Sequence, residues 1–281
     1  MIHTLSRLSI IGLFAVAPGV WAQQDDAGQS EGPAVFAAEL VTGMAKAVDY
    51  GSQSGAPQID FVGTDEASFA SGKASVRNQG AGVEIDCSFE GLPDPQSFGS
   101  EYLTHVLWAV SPEGRVSNLG EIQRDKRGRA KHVVTADLQV FGMVVTAEPY
   151  YAVRTPSNVI VMENGTTKKS KGQVSFIDAK YELLKRGVYE PFASPLSVDL
   201  DHTPLAVYQA RNAFTIAESV GARNYAEDSL KRAQANLEMA SSETLTKGHR
   251  KQVIALSLQA VQFAEDARAQ TVERQRAERQ R

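Results

Sequence analysis

The side chains able to do chemistry are thinly spread along this chain. The five histidines, His3, His105, His132, His202 and His249, lie far apart, with no HExxH and no imidazole pair at i, i+4. No metal site and no metal-assisted reaction is expected from them. His105 is opposite in phase to Trp108, which predicts a surface or edge position, and His132 beside Lys131 is predicted to be exposed. Cys87 is the one cysteine and falls in the apolar phase of an alternating segment, so it reads as a small buried hydrophobe rather than a nucleophile. There is no GxSxG elbow set between a strand and a helix, no SxxK, and no phosphate- or dinucleotide-binding glycine loop after a predicted strand. Neither catalytic residues nor a cofactor are expected.

Carboxylates are common enough that a glycosidase-like pair is compatible with the sequence. The most suggestive is Glu148, at a strand end before Pro149, Tyr150 and Tyr151. Glu148, Tyr150 and Tyr151 together could form a patch for a sugar or a peptide. The plainer alternative is that Pro149 stops the strand and the tyrosines cap the edge of the core. Asn164-Gly165-Thr166 fits a glycosylation sequon, which has meaning only in a eukaryotic secretory pathway.

The elements that would position these groups divide the chain into five parts. Residues 1–22 carry Arg7, an apolar run from Leu8 to Val16, and a small-residue end at Val20-Trp21-Ala22. That is the layout of a secretory signal peptide, too short to span a bilayer, and it predicts export to the periplasm or the exterior. No cysteine lies near the expected cut, so no lipid anchor and no transmembrane anchor is expected in the mature chain. Removing Arg7 with the leader leaves 28 basic against 33 acidic side chains, a net of about −5, which argues against nucleic-acid binding. Residues 23–57 read as a flexible lead-in, with FAAELVTGMAKAV as a possible short helix.

Residues 58–163 change to a period of two. Val83, Ile85, Cys87 and Phe89 alternate with Glu84, Asp86, Ser88 and Glu90. Further strands are predicted at Ile59–Val62, Lys73–Arg77, Tyr102–Val110, Val116–Ile122, Lys131–Ala136, Phe141–Ala147 and Asn158–Glu163, separated by turn sequences such as Ser111-Pro112-Glu113-Gly114 and Asp125–Gly128. This predicts an antiparallel, Ig-like β-sandwich with Trp108 as its core anchor. Residues 164–202 read as a connector in which Ala179–Arg186 forms a short helix.

From 203 to 281 the period is helical. Thr203-Pro204 reads as a cap with Pro at the first helical position, Gly221 as the end of that helix, and Asn224 with Glu227 as a capping box for the next. A third, long helix from Lys247 would run about 50 Å at ~1.5 Å per residue. Fifteen alanines and four aromatics occupy these residues, so the apolar seam is thin. Phe214, Leu230, Leu237 and Phe263 are its larger members and mark a candidate contact face. Such a module is expected to pack on the β-part, on another copy, or on an envelope protein. The terminal ERQRAERQR has no apolar stripe and reads as a solvated helix end.

Two resemblances follow. Gly91-Leu92-Pro93, Tyr102, Val106-Leu107-Trp108, Asn118-Leu119-Gly120, Val144–Pro149 and Pro156-Ser157 resemble the series running through the extracytoplasmic domain of anti-sigma-K factors. With no sigma-binding segment or membrane helix before it, the likeness implies the fold and not sigma regulation. Ala210-Arg211-Asn212-Ala213, Ala217-Glu218, Gly221-Ala222, Tyr225-Ala226, Leu230, Ala233, Ala260 and Ala264-Glu265-Asp266-Ala267-Arg268 resemble an uncharacterised helical domain of bacterial envelope proteins, often found ahead of OmpA-like domains. It implies a cell-envelope setting and no catalytic residues. The expected function is a non-enzymatic envelope protein acting through its helices; the alternatives are a glycan- or peptide-binding module at the end of the sandwich and, third, a hydrolase.

Overall fold

The computed structural model describes residues 39–52, 55–165, 175–189, 198–242 and 249–281. The predicted leader, most of the lead-in and residues 166–174 of the connector lie outside the described residues. The described chain runs through β1 (Leu40–Asp49), β2 (Gln58–Gly63), β3 (Ser71–Asn78), β4 (Val83–Glu90), β5 (Thr104–Val110), β6 (Val116–Ile122), β7 (Ala130–Ala136), β8 (Val140–Glu148), β9 (Ile160–Gly165) and β10 (Phe176–Leu184). It continues through α1 (Leu205–Ser219), the single turn α2 (Ala222–Tyr225), α3 (Glu227–Ser242) and α4 (Arg250–Arg279).

The strands form one mostly antiparallel network that nearly closes on itself. Around the ring the order is β6-β5-β8-β9-β2-β3-β4-β7. β6 and β7 then lie side by side without ladder pairing. Their turn at Asp125–Gly128 is tied by Asp125 N to Arg129 O at 2.8 Å, and the His132 ring bonds Leu119 O at 2.8 Å across the seam. His132 is therefore half-buried rather than exposed. β1 and β10 form a ribbon that joins the ring where Val48 and Asp49 pair with Phe141 and Val140 of β8. Alternation fills the ring: Ile59, Phe61, Val76, Ile85, Cys87, Phe89, Leu107, Phe141 and Val145 make one buried cluster.

Two segments predicted as helix are strands. LVTGMAKAVD is β1 and FIDAKYELL is β10, paired from Leu40↔Leu184 to Val48↔Phe176. Small inward residues explain the misreading, because they are what close approach requires. A Cβ on Gly43 would lie 2.7 Å from Leu183 Cδ1 and 2.9 Å from the Tyr181 ring.

The helices lie against the outer side of β5 and β8. Every residue of β5 is buried, since Leu107 and Ala109 face the ring interior while Val106, Trp108 and Val110 belong to a second cluster with Ala210, Ala213, Ile216, Ala217, Ala260 and Ala264. Trp108 thus anchors the junction of sheet and helices, not the interior between strands as predicted. Its Nε1–H donates to Thr146 Oγ1 at 2.8 Å. Trp108→Phe keeps a ring but removes this bond and some volume. It is expected to cost about 1–2 kcal/mol in urea unfolding followed by circular dichroism; an unchanged midpoint would place the indole in a tolerant site.

Alanine permits this arrangement, because α1 must approach both the sheet and α4 closely. Phe214, Leu237 and Phe263 are half-buried against the same cluster that holds Leu230, so the candidate contact face is turned inward. Gly221 ends the first helix in left-handed geometry (φ 92°), as its position predicts. The predicted caps shift: Pro204 itself occupies the cap position of α1, and Asn224 falls inside α2, so no capping box opens α3. The last helix stays regular to Arg279, held by Gln275 Nε2 to Val220 O at 2.9 Å and Tyr225 OH to Glu278 Oε2 at 2.7 Å. ERQRAERQR is otherwise a solvated helix end, as its sequence predicts, with Gln275 alone buried.

Candidate functional site

Between the sheet and α4 lies a polar cluster sealed from solvent. Glu265 and Arg268 share the side of α4 that carries Val261, and all three are buried. Arg268 grips Glu265 with two bonds, Nε to Oε2 at 2.6 Å and Nη2 to Oε1 at 2.7 Å. From the sheet side Tyr150 OH donates to Glu265 Oε2 at 2.7 Å. Arg154 lies at the edge, its Nε 4.0 Å from Glu265 Oε1 and its guanidinium on Asp266.

Glu148 is the neighbouring carboxyl. Its Oε1 accepts from Thr146 Oγ1 and from Ser157 N at 2.7 Å, and its Oε2 has no partner. Burial pushes its pKa up to about 8, with the Thr146 and Ser157 hydrogen bonds opposing and the charge of Glu265 adding to the rise. It is a neutral acid at pH 7. The tyrosine hydroxyls of the cluster are likewise held protonated: burial raises Tyr150 and Tyr189 well above the ordinary value, with further contributions from Glu265 and, for Tyr189, from Glu148.

Of the three residues predicted as a patch, Glu148 and Tyr150 are fully buried while Tyr151 is half-buried. They do not share a solvent-facing surface, because β8 ends between the ring and α4 rather than at an open rim. Pro149 O and Glu101 O both accept from Asn212 of α1. Only Tyr151 reaches a cavity.

One of the two cavities that Tyr151 borders is a cleft of about 610 Å³ between the β5–β6 edge of the ring and the N-terminal halves of α1 and α4. Its polar wall is built by three elements. Glu121 Oε1, on β6, accepts from Thr104 Oγ1 of β5 at 2.7 Å and from Gln209 Nε2 of α1 at 2.5 Å. Gln209 Oε1 in turn accepts from Tyr151 N at 2.9 Å, and Tyr151 OH donates to Leu258 O of α4 at 3.0 Å. The remaining wall is largely apolar, with Leu103, Leu205, Ile254 and Leu258.

His105 also borders the cleft, contrary to the surface position predicted. It is fully buried, both ring nitrogens lack partners, and alternation along β5 puts it in phase with Leu107. Burial, helped by the Arg124 charge, lowers its pKa to about 3, so it is neutral at physiological pH. Cys87 sits in the ring interior as predicted, its thiol pushed up to about 12 by burial and the Asp86 charge. No group of His, Cys, Asp and Glu suited to a metal ion occurs among the described residues.

Glu121 and Gln209 are not marked by the sequence, and Glu265 and Arg268 enter there only as part of the likeness to an envelope helical domain. The docking of the helices on the ring buries Gln209, Glu265 and Arg268 and half-buries Glu121. Neither a protein-family model nor a curated protein matches this chain.

Proposed function

We propose that this chain is a non-enzymatic, exported cell-envelope protein that binds a small amphipathic ligand in the cleft between ring and helices. The cleft carries the reading. It has the volume of a small-molecule site and pairs apolar walls with a few converging polar groups. The two likenesses noted in the sequence, to an extracytoplasmic β-domain and to an envelope helical domain, supply the setting, and the leader-like first 22 residues supply the export. α1, α3 and α4 serve as a three-helix module, of which α1 and α4 line the cleft.

A partner acting through the helical face is less favoured, because Phe214, Leu230, Leu237 and Phe263 already pack on the buried cluster shared with the sheet. No helix among the described residues is long and apolar enough to cross a membrane. The test is a calorimetric screen of the full chain with short peptides, peptidoglycan fragments and single-chain amphiphiles, repeated on Tyr151→Ala. At least one probe is expected to bind, and the substitution to weaken it at least tenfold. Silence from every probe, or equal binding by the variant, overturns the reading.

A further inference from the structure

We propose that the cleft takes a short apolar peptide with both ends free, its ammonium on Glu121 and its carboxylate on Arg250; this rests on the binding role just given.

Four charged side chains line the cavity, Asp94, Glu121, Arg124 and Arg250, and of these Glu121 and Arg250 have no ion-pair partner among the described residues. Glu121 is half-buried, and its Oε1 is held by two neutral donors, the Thr104 hydroxyl and the Gln209 amide. No Lys or Arg among the described residues forms an ion pair with it. Those two bonds fix the carboxylate against the wall and leave Oε2 for a further donor. A partly desolvated carboxylate held in this way gains most from a cationic partner.

Arg250 lies at the start of α4, on the line that continues through Ile254 and Leu258, and has no ion-pair partner among the described residues. The other cation of the cleft is already engaged, since Arg124 donates from Nε to Leu92 O at 3.2 Å and stands 3.7 Å from Asp94. His105 adds no charge at neutral pH. The wall thus offers a fixed acceptor and an exposed cation, with Leu103, Leu205, Ile254 and Leu258 lining the same cleft.

A zwitterion with an apolar body matches that pattern. A fatty acid would satisfy Arg250 but leave Glu121 facing a hydrocarbon tail. An alkylamine would satisfy Glu121 and leave Arg250 without a role. A volume of about 610 Å³ lies within the drug-sized range, which for a peptide is about three residues.

The experiment is titration calorimetry on the full chain with Leu-Ala-Leu, its N-acetyl form, its C-terminal amide, dodecylamine and laurate. The free tripeptide is expected to bind, the acetylated form at least tenfold more weakly, and the amide several-fold more weakly. Glu121→Gln, which keeps the acceptor for Thr104 and Gln209, should bind the free and acetylated peptides alike. Arg250→Ala should do the same for the acid and the amide. Equal affinity of the three peptides for the unaltered protein overturns the assignment. So does binding of only dodecylamine or laurate, in which case its loss in Tyr151→Ala leaves the binding role standing. No binding by any probe overturns both.

Discussion

Arg268→Met is expected to lower the unfolding free energy by about 3–5 kcal/mol, although the residue lies on a helix whose sequence is dominated by polar side chains. The reason is the carboxylate left behind. Glu265 is wholly buried, and Arg268 supplies two of the three close hydrogen bonds made to it. Without the guanidinium a charge stays in the interior with Tyr150 and the marginal Arg154 contact as its only compensation, and breaking a buried pair from one side typically costs this much. Replacing both partners, Glu265→Leu with Arg268→Met, should recover part of the loss, because a buried ion pair is worth little against apolar groups of similar size, although the Tyr150 hydroxyl then lacks its acceptor. Urea unfolding monitored by circular dichroism reads all three proteins. A single variant within 1 kcal/mol of the unaltered chain would mean that water reaches Glu265.

The second expectation concerns pH. Glu148 binds its proton more tightly in the folded protein, with a pKa near 8 against 4.5 for the free side chain. Its stabilising contribution is therefore full below pH 4.5 and is lost as the pH rises to about 8. His105 acts in the opposite sense. Its folded pKa near 3 lies below its ordinary 6.5, so protonation of the unfolded chain makes stability rise with pH between those values. From 4.5 to 6.5 the two oppose one another; from 6.5 to 8 Glu148 acts without that opposition. Each pKa unit is worth about 1.4 kcal/mol, so stability should fall by about 2 kcal/mol across that upper window. Glu148→Gln keeps an acceptor for Thr146 and Ser157 and removes the titration, so most of the fall from pH 6.5 to 8 should disappear, leaving the small slope of the exposed His202, whose pKa its bond to Asp199 raises. A slope that survives the substitution undiminished would assign the proton to another group.

How far the sequence foretold this molecule depends on what lay on each side of an element. β4 has one wet face, and its alternation marks Val83–Glu90 directly. The Val116–Ile122 strand was bounded by turn residues and coincides with β6. β1 was hidden because Gly43, Ala45 and Ala47 point inward; small side chains are demanded by Tyr181 and Leu183 opposite, yet they carry almost no strand signature. The candidate site was hidden for a different reason. Glu265 and Arg268 sit three apart, the spacing of any surface ion pair, and nothing local shows that α4 is covered on that side as well as along Val253, Ala260 and Ala267. A second line at Ser257, Val261, Glu265 and Arg268 becomes meaningful only once two neighbours, the ring and α1, are known to share one helix. Tyr151 was found because an aromatic pair after a strand-ending proline is conspicuous, but its partner in the cleft, Glu121, lies 30 positions earlier in a strand of ordinary polarity.

The pairing of β1 with β10 also sets an order of events. Leu40 meets Leu184 and Val48 meets Phe176, so the first described strand has no ladder partner on that edge until residues far along the chain have been made. Closing so long a loop is entropically costly before any contact repays it, and folds ruled by such distant pairings are slow to form. The helices cannot nucleate the structure in their place, because their alanine seam gains its cover from Val106, Trp108 and Val110 on β5 and from Tyr181 and Leu183 on β10. The local pairs β2–β3, β3–β4 and β5–β6 carry no such cost, so the β1–β10 edge, and with it the cover of the helices, is expected to close last.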